Sequence, residues 1–175
     1  MREILDIALK FQGILGTAIG AVVILIATSL LKNLGKIYIY FRGWGIKFFK
    51  MDGTGGFETS VLEEASYCNY YFEVEIINTS ETPRALRDIK VKFYSSNKLL
   101  VESIPDDSST RRVSSGAIKL DPIKIINLPS KQMVYYKISG YIKDEDLKNL
   151  NEYKKVYFET LDNSGKKIKR LICRI

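Results

Sequence analysis

The chain contains no histidine. That removes the commonest general base and the commonest neutral metal ligand near pH 7, and it rules out a Ser-His-Asp or Cys-His nucleophile. Cysteine is nearly absent too: Cys68 and Cys173 stand far apart in apparent strands. Two such residues cannot build a zinc site, and they read as buried free thiols. The acidic pairs Glu63-Glu64, Asp106-Asp107 and Glu145-Asp146 are simplest as solvated loops and a helix start. No catalytic residue, metal ligand or cofactor is therefore expected, and the chain does not read as an enzyme.

Charge is missing from one stretch above all. Residues 11–31, FQGILGTAIGAVVILIATSLL, carry no Asp, Glu, Lys or Arg. As a helix this run is about 30 Å long, the thickness of a bilayer's hydrocarbon core. It is longer than the apolar region of a signal peptide, and Ala27-Thr28-Ser29 is a poor cleavage site. The expected organisation is an N-terminal segment with a transmembrane helix over 1–32, then one domain over 33–175. Gly13, Gly16, Thr17 and Gly20 form a small-residue stripe suited to close helix association.

Acid is also missing just beyond that run. Lys32, Lys36, Arg42, Lys47 and Lys50 follow with no Asp or Glu among them. Basic residues stay on the cytoplasmic side of a membrane helix. The expected placement is a single-pass cell-membrane protein, N-terminus outside and C-terminal domain cytoplasmic. Net charge is +7, and Lys166, Lys167, Lys169, Arg170 and Arg174 make the C-terminus basic. Such charge suits nucleic acid or an anionic lipid surface. An anchor already brings the domain to lipid, so membrane contact is expected and nucleic acid is not. Lys32, Lys36, Arg42, Trp44 and Lys47 are the candidate contacts; of the aromatics Tyr38, Tyr40, Trp44, Phe48 and Phe49, most are expected to pack in the first strand of the domain, with Trp44 the interfacial candidate.

Long helical patterns are lacking beyond residue 32. KIYIYF (36–41), YYFEVEII (70–77), RDIKVKFYS (87–95) and MVYYKISGYI (133–142) alternate with period two, the mark of half-buried strands. Phe72, Val74 and Ile76 share one face, as do Ile89, Val91 and Phe93. NKLLVESI continues the direction of the strand before it after a bend at 95–97. PDDSSTRRVSSG (105–116) reads as a polar surface loop. The Gly-rich segment 51–60 lacks the Lys and Ser/Thr of a phosphate loop after Gly56 and reads as a turn. DEDLKNLNEY (144–153) is the one soluble helix, capped by Asp144, with Leu147 and Leu150 buried. Asp162-Asn163-Ser164-Gly165 closes a hairpin. Seven or eight short strands with one short helix give an all-β antiparallel sandwich.

The run FEVEIINTSETPRALRDIKVKFY resembles the B–C strand pair of immunoglobulin-like sandwiches. Together with NLPSKQMVYYKISG it is similar to small membrane-anchored bacterial proteins carrying such a domain. The Cys–Trp–Cys core of antibody domains is absent, since Trp44 precedes Cys68. The resemblance therefore implies an architecture and no binding residues. The function expected is a non-enzymatic, membrane-anchored interaction module whose partner is another protein or its own copies. Tyr70, Tyr71, Tyr94, Arg111 and Arg112 are its candidate partner or ligand surface. The alternative is a membrane-anchored sensor or effector, of the build of bacterial defence effectors, whose domain binds a small anionic or nucleotide ligand while its helices oligomerise.

Overall fold

The computed structural model describes residues 16–30, 34–114 and 117–175. Gly13 and Lys32 lie outside them. A helix, α1, covers 16–30. Among the described residues no helix is long and apolar enough to cross a membrane. At 1.5 Å per residue α1 covers about 22 Å, short of a hydrocarbon core; the rest of the expected span, 11–15 and 31, lies outside the described residues. Ile19, Val22, Val23, Ile24, Leu25, Ile26 and Leu30 are all exposed on α1, so no face of the helix is buried against the strands.

The remainder is an antiparallel β-sandwich. One sheet holds β1 (Ile37–Met51), β2 (Phe57–Ser60), β3 (Tyr67–Asn78), β6 (Asp106–Ser114), β7 (Ala117–Pro122) and β9 (Met133–Lys143) in the order β2-β1-β3-β9-β6-β7. The second holds β4 (Arg84–Ser95), β5 (Lys98–Ser103), β10 (Lys155–Leu161) and β11 (Lys167–Arg174) in the order β11-β10-β4-β5. β8 (Ile125–Leu128) pairs with the first residues of β4. A short helix, α2 (Asp144–Lys148), and a 3-10 turn (Asn149–Glu152) join β9 to β10. Here Leu147 and Leu150 are buried as expected.

The alternating segments supply the core. Phe72, Val74 and Ile76 of β3 meet Val91 and Phe93 of β4 and Phe158 of β10 between the sheets, all of them buried. The β3–β4 connection crosses from one sheet to the other, as the B–C pair of an immunoglobulin-like domain does. In β1 the inward set changes parity. Ile37, Ile39 and Phe41 pack on the core before a bulge between Arg42 and Gly45, and Trp44, Ile46 and Phe48 pack on it afterwards. One inserted position re-aims every later side chain.

Four local expectations are corrected. The segment 105–116 is mostly strand β6, hairpinned to β7 with Val113 opposite Ile118. Residues 98–103 do not continue the direction of β4: a turn with Ser96 at φ +35° reverses the chain, and β5 pairs antiparallel to β4. The N-cap of α2 is Lys143, one residue before Asp144, and no side chain caps it. Eleven strands are formed among the described residues where seven or eight were expected; the additional ones are short or lie at sheet edges.

Candidate functional site

The end of the sandwich nearest α1 is built on a buried polar knot. Asn78 and Ser80 have no exposed surface. The Asn78 amide nitrogen donates toward Thr82 O (3.0 Å), Leu128 O (3.2 Å) and Pro129 O (3.0 Å). Its oxygen accepts from the Ser80 N–H at 3.0 Å. Two connections, β3–β4 and β8–β9, are thereby tied together. Asn78-Thr79-Ser80 has the form of a glycosylation acceptor, but its amide is enclosed and fully used.

The knot also grips the chain as it enters β1. Leu34 N–H donates to Leu30 O at 3.1 Å, which continues the helical bonding of α1. Lys36 N–H donates to Thr79 Oγ1 (2.8 Å), Thr79 N–H donates to Lys36 O (3.1 Å), and Arg84 donates to Gly35 O (3.1 Å). Gly35 sits at φ +137°, and a Cβ there would come within 2.6 Å of Ser80 Cα and N. Only glycine adopts that backbone readily. Helix and sandwich thus meet at a bonded junction.

Beside the junction the outer face of the first sheet carries exposed aromatic rings among charged residues. Tyr38 pairs with Ile77, and Ile77 with Met133; one row on, Tyr40 pairs with Glu75, and Glu75 with Tyr135. Tyr38, Tyr40, Met133 and Tyr135 are exposed, and the rings of Tyr38 and Tyr40 stack at 6.5 Å. Of the early aromatics, Tyr38 and Tyr40 are thus outward, while Trp44 and Phe48 pack on the core. The sequence held the signal: Tyr38 and Tyr40 are out of phase with Ile37, Ile39 and Phe41.

The expected surface residues do not converge. Tyr70 is fully buried, donates to Ser103 Oγ at 2.9 Å and has its phenol pKa pushed up by that burial. It is a core residue. Tyr71 is exposed on the first sheet, its ring lying over Gly45 where a Cβ would collide with it. Tyr94 lies on the second sheet, where Lys169 Nζ sits 3.9 Å above its ring centroid. Arg111 is an exposed residue of β6, and Arg112 is held by Asp121 at 2.7 and 2.8 Å. Trp44 packs inward against Tyr70, Phe72 and Phe93 at 6.0–6.1 Å between centroids. It therefore cannot be the interfacial aromatic. Arg42 is paired with Glu75 at 3.1 Å; Lys36 and Lys47 are exposed. A Cβ added to Gly16 or Gly20 would meet nothing within 4 Å.

Two open grooves remain. One of about 490 Å³ is lined by Glu102, Ser103, Tyr141, Lys143, Glu145 and Asp146 among others. The other, about 660 Å³, runs along β9 past Asp107, Ser109, Tyr135, Tyr136 and Lys137. Each carries one lysine, Lys143 in the first and Lys137 in the second. Among the described residues no group of His, Cys, Asp and Glu could hold a metal ion. Cys68 and Cys173 are free; burial pushes their thiols up to about 12 and about 11, so neither is a ready nucleophile.

Two antiparallel sheets joined by a β3–β4 connection that crosses between them define an immunoglobulin-like β-sandwich protein. A family model, the YopI Ig-like domain, matches residues 35–173. The chain belongs to this YopI Ig-like family. It is 35% identical over 173 residues to the SPbeta prophage-derived uncharacterized protein YopI of Bacillus subtilis strain 168, covering 97% of each chain. Among solved structures it is similar to a β-sandwich protein from Clostridium difficile 630 (11% identity, 79% of this chain and 86% of that one, TM-score 0.36). It is also similar to the Iho670 flagellar-like filament (9% identity, 95% and 96%, TM-score 0.39).

Proposed function

We propose that this chain is a membrane-anchored, non-enzymatic interaction module, with its N-terminal helix in lipid and its sandwich at the cytoplasmic face. One observation carries the reading: α1 is apolar all round and exposes every large side chain it has. A helix hydrophobic on all sides needs a nonaqueous surrounding. The charge-free run 11–31 matches a hydrocarbon core in length, and the bases after it favour the cytoplasm for the sandwich. The open sides of Gly16 and Gly20 suit a second helix, so the first partner to test is another copy.

The test is fractionation of cell membranes followed by an alkaline carbonate wash. The chain is expected to stay in the pellet and to leave it only with detergent. A reporter fused after Ile175 is expected to be active inside the cell. Recovery of the intact chain from the aqueous fraction would overturn the anchor; a reporter active outside would reverse the orientation.

A further inference from the structure

The tyrosine block on the first sheet is not used by the fold. Tyr38, Tyr40, Met133 and Tyr135 are 43%, 50%, 57% and 44% exposed, and they lie in register across β1, β3 and β9, with Ile77 between the first pair and the Arg42-paired Glu75 between the second. Large exposed apolar side chains gathered on one face mark a surface that something covers. Exposed bases lie around it: Lys36 and Lys137, and the ion-paired Arg42 and Lys131. Of the nearby acids, Glu75 is paired with Arg42 and Glu81 with Lys131, while Glu73 stands opposite Lys137 in the register.

The junction says what lies opposite. Leu34 is bonded back to Leu30, Lys36 is bonded on both sides to Thr79, and only six residues lie between Leu30 and Ile37 in the sequence. At about 3.3 Å per residue, Tyr40 stands about 10 Å beyond Ile37. A headgroup layer adds about 5–7 Å outside the hydrocarbon core. A sandwich that leans toward this face brings both tyrosine rows to that layer. Tyrosine, with an apolar ring and a polar tip, is the side chain suited to that boundary, and lysines around it suit lipid phosphates.

We propose that the Tyr38–Tyr40–Met133–Tyr135 face is where the sandwich rests on the bilayer that holds α1, its flanking lysines on the headgroups of anionic lipids. This rests on the membrane reading above and replaces Trp44 with a different face. The full chain would be reconstituted into phosphatidylcholine vesicles with and without one third phosphatidylglycerol. A polarity-sensitive fluorophore would be placed at Tyr40→Cys or, at the far end of the domain, at Lys98→Cys, with Cys173→Ser in both. Nitroxide-headgroup lipid is expected to quench the label at 40 at least threefold more than the label at 98, and more strongly with phosphatidylglycerol. Tyr38→Ser combined with Tyr135→Ser is expected to remove most of that difference, and both sites are exposed, so the fold tolerates them.

Equal, weak quenching at both positions in chain that stays with the vesicles would overturn this proposal and leave the anchor standing. Chain that floats free of the vesicles would overturn both. Shielding at 40 that grows with protein density and not with lipid quencher would assign the face to a second copy and overturn the lipid contact.

Discussion

Asn78 is polar and fully enclosed, and such a residue is tolerated only when every bond it can make is made. Two amide hydrogens serve three carbonyls, and the oxygen serves the Ser80 N–H. Asn78→Ala would take bonding partners from groups in both the β3–β4 and β8–β9 connections. Each unsatisfied group costs about 1–3 kcal/mol, so a loss of about 2–4 kcal/mol is expected in urea unfolding. Asn78→Asp should be worse at neutral pH, because a charge would replace the donor facing those carbonyls. Asn69→Ala, exposed on the same strand, should change stability by less than about 0.5 kcal/mol. Single residues were unevenly legible in the sequence. The alternation that puts Phe72, Val74 and Ile76 inward also puts Tyr70 inward, so its burial was readable and the surface assignment ran against it. The burial of Trp44 was not readable, because it follows from a bulge that shifts parity, and a bulge with Gly43 at φ +62° looks in sequence like any glycine pause.

At the scale of elements, the outer face of the second sheet is a ladder of alternating charge. Lys90 meets Glu102 at 2.7 Å, Glu102 meets Lys92 at 2.9 Å, Lys92 meets Glu159 at 2.8 Å, and Glu159 meets Lys167 at 3.1 Å. Burial pulls the Lys92 ammonium down, but Glu159 and Glu102 outweigh it and hold it up. Burial pushes the Glu159 carboxyl up, but Lys92 and Lys167 outweigh it and hold it below the usual range. Hydrogen bonds from Lys90 and Lys92 lower Glu102. Carboxylates held low stabilise above an ordinary glutamate pKa of about 4.3, and the effect is lost as pH falls through the folded value. Ammoniums held high stabilise below about 10.4, and the effect is lost as pH rises past the folded value. The ladder should thus contribute fully between about pH 5 and 10. Glu159→Gln is expected to lower stability at pH 7 by about 1–3 kcal/mol. That deficit should begin to shrink as pH falls below about 4.3, where the unfolded carboxyl takes up its proton, and vanish once pH is below the lower folded value. Denaturant melts of both proteins across pH check it, and a deficit constant down to pH 3 would mean the charge is not the cause. Lys90 and Lys92 were legible as outward, but their partners on β5 and β10 depend on register across strands that no local pattern specifies. The strand β6 was hidden for a related reason: none of its residues is buried, so DDSSTRRVS has no apolar alternation to show.

At the scale of the whole molecule, the sandwich needs nothing from α1, and α1 takes nothing from the sandwich beyond the junction at Leu34–Lys36. The large apolar side chains of α1 stay exposed while the strands bury their own core. That division was legible early, because a charge-free run beside period-two segments cannot share one fold. What the sequence did not separate is whether the small residues of the run do anything. In lipid there is little hydrophobic gain from pairing helices, so association depends on close packing at glycines. Gly16 and Gly20 are one turn apart and open beyond their Cα atoms. Leucine at both positions would fill the groove through which two backbones approach, yet would leave the run as apolar as before. Insertion should therefore be unchanged while contact is lost. In membranes carrying the full chain, a short amine-reactive cross-linker is expected to give dimers or larger species. Gly16→Leu with Gly20→Leu should cut that fraction at least fivefold with the same amount of chain in the carbonate-washed pellet. An unchanged cross-linked fraction would mean that copies meet through the sandwich, and the exposed tyrosine face would then be the first surface to mutate.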